Sequence, residues 1–504
     1  MKIDLKIKTL GQIYKNNFVP DKTAIMFKDK CISYAELDRN VIAYANFFKS
    51  NGVKPGNKVL LVSANSPDFL YSYLGVVRNA AVIVPLNPML TIRELSYMTA
   101  DSEATFMIIS QATMDMHGFT RRQLSDELGV KVFVLADAMK EALKTVPTED
   151  FDLVTDDSTI STFLYTSGTT GQPKAAMLSH YNLMINALQT GEAFEVVNDD
   201  IYICVLPMFH VLAFTCVTLM PLATGGTIDI VESFRPKEFI DDLITKKITI
   251  FIGVPAMYVV LIGAGKKNIE FPDLRTVISG GAPLPVEVIK QVTESLNLYV
   301  TEGYGLTEAS PAAIFNPPSG VKKAGSVGLP FPLVECKVVD DAGNELPPET
   351  PGELILRGPN VMQGYYNKPE ETASTLKDGW LHTGDIAKTD DDGYFYIVDR
   401  IKDLIIVSGL NVYPREVEDV LYQHPKVKEA AVIGIPKDIR GESVLAYISL
   451  KDGEEVHHKE VIRFLKTRLA QYKIPRKIVV LDDLPKNVSG KILKRELREL
   501  ALQE

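Results

Sequence analysis

From about residue 57, short apolar runs alternate with amphipathic ones in a rhythm that few folds accept. "KVLLVSA", "AVIVPLN" and "ATFMIIS" read as buried strands, and the intervening "DFLYSYLGVVRNA" and "IRELSYMTADS" carry apolar residues at helical spacing. The rhythm returns at "GGTIDIV", "PKEFIDDLITKK", "ITIFIGV" and "RTVISGG". Apolar strands separated by amphipathic helices predict βαβ units and an α/β fold with parallel sheets, since such strands are covered on both faces. From about residue 320 to 399 the texture changes to short strands divided by Gly, Pro and Asp turns, as in "VECKVVDDAGNEL" and "DDGYFYIVD", which predicts a small β-barrel-like or sandwich unit. After Arg400 a last unit begins, with strands at "EAAVIGI", "VLAYISL" and "KIVVL" and helices at "YPREVEDVLYQH" and "HKEVIRFLKTRLAQ", an α+β pattern. With 504 residues the chain exceeds one compact core, so two to four units of about 100–250 residues are expected.

A formal net charge of −10 argues against general affinity for nucleic acid or anionic membranes. The four cysteines, Cys31, Cys204, Cys216 and Cys336, lack metal-like or disulfide-like spacing and fit a reducing, cytoplasmic setting. The first residues, "MKIDLKIKTLGQIYKNN", contain no continuous apolar run of the signal-peptide kind. Residues 201–226, "IYICVLPMFHVLAFTCVTLMPLATGG", carry no charge and are long enough to span a bilayer, but Pro207, His210 and Pro221 interrupt them. A buried strand, a loop and a buried helix are expected there, in a soluble protein.

"YTSGTTGQPK" (165–174) follows the predicted strand "STFLY" and sets Thr166, Ser167, Gly168, Thr169, Thr170 and Gly171 in a row, with Lys174 beyond. Hydroxyls and exposed backbone N–H groups suit an anion, glycine lets the backbone approach it, and lysine adds a point charge. The spacing is not that of the Walker loop. "AAMLSHYNLMINAL" after Lys174 shows helical spacing, with Ser179 as a cap for its later part.

Four more segments bear on the chemistry. "SGGAPLP" (279–285) offers a Gly-Gly backbone on which a flat ring can lie, and "EGYGLTEAS" (302–310) supplies an aromatic face, a hydroxyl and a carboxylate. "LHTGDIA" (381–387) and "VDRIKDLIIVSGLNVYP" (398–414) supply Asp385, Arg400 and Lys402, and "LPKNVSGKILK" (484–494) sets Lys491 after a Ser-Gly turn. In this order and at these separations, from "ISYAELD" (32–38) to Lys491, the chain resembles the adenylate-forming superfamily of acyl-CoA synthetases, luciferases and peptide-synthetase adenylation domains.

The resemblance implies a role for each matching position. Thr166, Ser167, Gly168, Thr169, Thr170, Gly171 and Lys174 would wrap the phosphates of ATP. Gly280, Gly281, Ala282 and Tyr304 would hold adenine, and Asp385 with Arg400 would hold the ribose. Thr307 would touch the α-phosphate, and Glu308 with Thr166 would ligate Mg²⁺. Lys491 would neutralise charge while a carboxylate attacks the α-phosphate, giving acyl-adenylate and pyrophosphate; coenzyme A then takes the acyl group. A domain 1–399 would be joined by a hinge at 400–402, pivoting on Lys402, to a mobile domain 403–504 that turns between the two steps.

For the acid pocket, the resemblance points to "PMFHVLAFT" and "GVPAMYVVL": His210 near the carboxylate, and Val211, Phe214, Val254 and Met257 as apolar walls, with Phe214 as an aromatic gate. Amino-acid-activating relatives carry an aspartate near this point, and none stands here. The expected substrate is a medium- to long-chain fatty acid, with an aryl acid of the hydroxycinnamate or benzoate type as the alternative. A luciferase-like oxygenase and a non-catalytic nucleotide-binding regulator are weaker alternatives. The oligomeric state stays open, a homodimer included.

Overall fold

The computed structural model describes residues 7–166, 172–264, 269–407, 409–436, 442–487 and 490–503. Two sheets dominate the first three hundred residues. One has six strands in the order Lys131–Leu135, Phe106–Ser110, Lys58–Val62, Val82–Leu86, Ile160–Thr166 and Lys174–Ser179; the first five are parallel and the last is antiparallel. The other has nine, with a parallel run from Val300–Gly305 through Thr276–Ser279, Ile250–Gly253, Ile201–Cys204 and Thr227–Ile230 to Thr23–Phe27. The α/β expectation therefore holds. Its reason is visible in strands such as Val82–Leu86 and Ile250–Gly253, where every side chain is buried.

One expectation is corrected. Residues 174–179 form a strand, not the start of a helix: Thr166 lies opposite Lys174 and Tyr165 opposite Ala175 in an antiparallel hairpin. The run Ala175–Leu178 is too short for its periodicity to separate helix from strand. The helix begins one residue after Ser179 and spans His180–Ala193. Ser179 caps it as expected. Its hydroxyl accepts the Asn182 N–H at 3.0 Å, and the Asn182 Oδ1 accepts the Ser179 N–H at 2.9 Å, an arrangement worth ~1 kcal/mol.

Residues 201–226 fold as a buried strand, Ile201–Cys204, then a loop and a helical run from Val211 to Thr224 that includes a π-helical turn at Phe214–Leu219. Among the described residues, no helix is long and apolar enough to cross a membrane. Strands between Glu335 and Arg400 form a five-stranded antiparallel half-barrel. The last unit has a three-stranded sheet, Val427–Pro436, Glu442–Leu450 and Lys477–Val480, with its own apolar core around Val432, Ala446 and Val461. The helices Pro414–Tyr422, His458–Lys466 and Lys494–Gln503 accompany it.

Candidate active site

Strand ends from three parts of the fold converge here. Asp385 lies in Trp380–Thr389 opposite Arg400 of the neighbouring strand, so register alone pairs the two. Arg400 Nε stands 3.2 Å from one Asp385 carboxylate oxygen, and the Tyr304 hydroxyl donates to the other at 2.6 Å. Burial, then the adjacent Asp385 charge, pushes the Tyr304 phenol well above its ordinary range, so it stays a neutral donor. Asp385 thus holds the tyrosine ring in place. Gly281 in the preceding segment has φ +79°, a left-handed conformation that glycine adopts without strain. Gly280, beside it, donates its N–H to the Gly253 carbonyl at 3.1 Å, and Ala282 follows in the same loop.

Glu308 lies in the short turn Thr307–Ala309, and its carboxylate accepts the Tyr365 hydroxyl at 2.7 Å. The Lys174 ammonium sits 4.9 Å from the centre of the same tyrosine ring, and Lys174 is only 9% exposed. Tyr365 therefore joins the hairpin lysine to the turn carboxylate, a link that sequence reasoning missed. "QGYYNKP" (363–369) bears no motif that would have marked it. Thr166 ends the strand opposite Lys174. Ser167, Gly168, Thr169, Thr170 and Gly171 lie outside the described residues.

His210 caps the helical run that follows it: its Nδ1 accepts the Leu212 N–H at 3.3 Å. An accepting Nδ1 leaves the proton on Nε2. Burial, reinforced by the charge of Lys491, pushes the imidazole down to about 4, so it is neutral at physiological pH. Lys491 and Gly490 are both tied back to Asn487: the Lys491 N–H donates to Asn487 Oδ1 at 2.9 Å, and the Gly490 N–H donates to the Asn487 carbonyl at 2.9 Å. Burial, then the neighbouring Arg400, pushes the ammonium down to about 8, against the pull of Asp385. Lys402 lies in the turn Ile401–Asp403 that leads into the last unit.

A cavity of about 410 Å³ approaches this centre. It is lined by Asn65, Met89, Phe209, Phe234, Met257 and Gly490, with Val254 and Val260 among its other walls. Met89 (54% exposed) and Val260 (41% exposed) bring it to the surface, and Gly490, one residue from Lys491, is among its lining residues. A Cβ on Gly490, whose φ is +78°, would lie 3.2 Å from the Ala256 Cβ and 3.4 Å from Val254 Cγ2.

The expected pocket residues divide. Val254 and Met257 line this cavity, and His210, Val211 and Phe214 do not. Phe214 is 1% exposed, its ring 4.0 Å from that of Tyr73, because its side chain projects from the helical run into the core between the sheets. The aromatic walls of the cavity are Phe209 and Phe234 instead.

A family model described as "AMP-binding enzyme" matches residues 15–366, and one described as "AMP-binding enzyme C-terminal domain" matches residues 416–491. The chain belongs to the AMP-binding, adenylate-forming enzymes. Within them it is an AMP-forming acyl-CoA synthetase, an acid–thiol ligase acting with ATP and coenzyme A. It is 37% identical over 481 residues to a feruloyl-CoA synthase of an Amycolatopsis species, covering 95% of this chain and 96% of the relative. It is 34% identical over 538 residues to a long-chain-fatty-acid–CoA ligase of Bacillus subtilis (strain 168), covering 99% and 95%. Among solved structures, ATP-bound MatB from Rhodopseudomonas palustris is 32% identical, covers 98% of each chain and superposes with a TM-score of 0.92. The apo form of the same protein, at the same coverage, gives 0.81.

Proposed function

We propose that this synthetase activates a carboxylic acid with an uncharged tail, a medium- to long-chain fatty acid first, and passes it to coenzyme A. The observation that carries the reading is the apolar surround of the segment after His210: the side chains nearest Gly280 and Gly281 are Leu212 and Val254, and no residue of 211–224 is charged. A second carboxylate or an ammonium on the acid would find no counter-charge there. Neutral His210 would present Nε2–H to the substrate carboxylate. Tyr304, Gly281 and the Asp385–Arg400 pair would hold the nucleoside, and Lys174 the phosphates.

Glu308 and Thr166 offer oxygen donors only, which suits a hard cation. Among the described residues no cluster of three or more His, Cys, Asp or Glu side chains exists to cage one. That fits Mg²⁺ held largely by substrate phosphates, where it would offset their charge. Lys491, whose charge acts on His210 and which feels Arg400 and Asp385, would serve the first half-reaction. A turn about Lys402 would withdraw it for the second.

The cavity partly walled by Gly490 would suit the uncharged arm of coenzyme A. Withdrawing the Lys491 turn would take Gly490 out of that wall just when a thiol is needed. Val260→Trp, at the mouth, should raise KM for coenzyme A about tenfold, equivalent to ~1.4 kcal/mol, and leave pyrophosphate release unchanged. An unchanged KM would remove the cavity from the thiol path.

An aryl acid is the second reading. One observation favours it: the 37% identity to feruloyl-CoA synthase. A panel of alkyl and aryl acids, followed by pyrophosphate release with and without coenzyme A, decides between them. Fastest turnover with C8–C16 alkyl acids supports the first reading, and preference for hydroxycinnamates replaces it with the second.

A further inference from the structure

Glu302 begins the segment that leads to Tyr304, and it is only 4% exposed. One carboxyl oxygen accepts the Leu284 N–H at 3.1 Å, which ties the strand Val300–Gly305 to the loop after Gly281. The same oxygen faces the Arg415 guanidinium at 3.7 Å, and the other has no hydrogen-bond partner among the described residues. Arg415 belongs to the helix Pro414–Tyr422, beyond the 400–402 turn. It is held where the two units meet: its Nη1 donates to the Ile397 carbonyl at 2.7 Å, and its backbone N–H donates to Asp399 at 2.9 Å.

The charged groups that act on Glu302 are Arg415 and, one turn along the same helix, Asp419. Burial pushes the Glu302 carboxyl up to about 7 and Arg415 draws it back, while the nearby Asp419 is itself pushed up to about 6 by burial. A buried carboxylate stripped of its cation is costly. Arg415 and Lys491 ride on the same unit, so the position that brings one to Glu302 also brings the other to the reaction centre.

We propose that Glu302 and Arg415 form a latch that holds the C-terminal unit in the arrangement placing Lys491 at the site, as positioning residues for acyl-adenylate formation and not for thiol transfer. The proposal rests on the assignment of Lys491 to the first half-reaction. When the unit turns, Arg415 leaves, and the Glu302 carboxyl takes a proton from solvent rather than remain a bare buried anion. Its bond to Leu284 connects the latch to the loop expected beneath adenine.

The test compares the full-length chain with Arg415→Gln, Arg415→Lys and Glu302→Gln in two assays. One is ATP–pyrophosphate exchange with an accepted acid; the other is thioester formation from the synthetic adenylate of that acid. Arg415→Gln should slow exchange by about tenfold or more, the order expected when orientation is lost, and keep thioester formation within about twofold. Arg415→Lys should recover part of the exchange. Glu302→Gln retains the volume and an oxygen for Leu284, and should show the same split. Equal loss in both assays, or normal exchange in folded Arg415→Gln, overturns the latch. If Arg415→Gln does not fold, Glu302→Gln decides by the same criterion. Equal loss of both half-reactions in Lys491→Ala would instead overturn the reading of Lys491 on which the latch rests, whatever the Arg415 variants show.

Discussion

Lys491→Ala should lower pyrophosphate release by about 10²–10³-fold, the usual cost of removing one charge-stabilising group from a preorganised site. Attack of a carboxylate on the α-phosphate brings two anions together, and a buried ammonium next to neutral His210 is placed to offset the charge that builds up. Thioester formation from synthetic acyl-adenylate should be largely spared, because no pyrophosphate leaves in that step. Equal loss in both half-reactions would refute this division. The pH dependence carries a second signature. The Lys491 pKa is lowered to about 8, so the cation is present below that pH and is lost as pH rises through it. The adenylate-forming rate should therefore fall across pH 8, while His210, held near 4, contributes no inflection between pH 5 and 8. A rate flat from pH 7 to 9.5 would mean that the charge is not used.

Lys402→Pro should do the reverse. Proline fixes φ near −65°, close to the value a 3₁₀ turn already has, so it should favour the arrangement seen here. The turn at Ile401–Asp403 is closed by the Leu404 N–H reaching the Ile401 carbonyl at 3.4 Å, so the Lys402 N–H is not its donor. Adenylate formation should survive, while transfer to coenzyme A should slow about 100-fold, because its geometry is no longer reached. Proline also crowds Ile401, so circular dichroism and ATP binding must first show a folded chain. Normal rates in both half-reactions would place the pivot elsewhere.

The parallel sheets were legible because their strands are apolar throughout and stand apart from amphipathic helices. The 174–179 strand was not, since a four-residue apolar run has no decisive period and only its pairing with Ile160–Thr166 determines its form. Tyr304, Asp385 and Arg400 were each singled out by their motifs, and the structure brings the three side chains together. Their bonds to one another depend on strand register and on the packing of two sheets, which no local window carries. Phe214 shows the limit from the other side: an aromatic residue at a suggestive position, yet turned into the core against Tyr73. Tyr365 lies in a stretch without a motif and Arg415 in a segment read only as a helix, and the meaning of both comes from partners far along the chain.

The seat of Gly490 between Ala256 and Val254 has a kinetic corollary. If the turn that serves ATP also stoppers the thiol's path, the two co-substrates cannot react from one shared complex. Pyrophosphate must depart before coenzyme A is engaged, and initial velocities plotted against ATP at several fixed coenzyme A concentrations should give parallel reciprocal lines. The activated acid is then shielded from water on that side for as long as the stopper stays in.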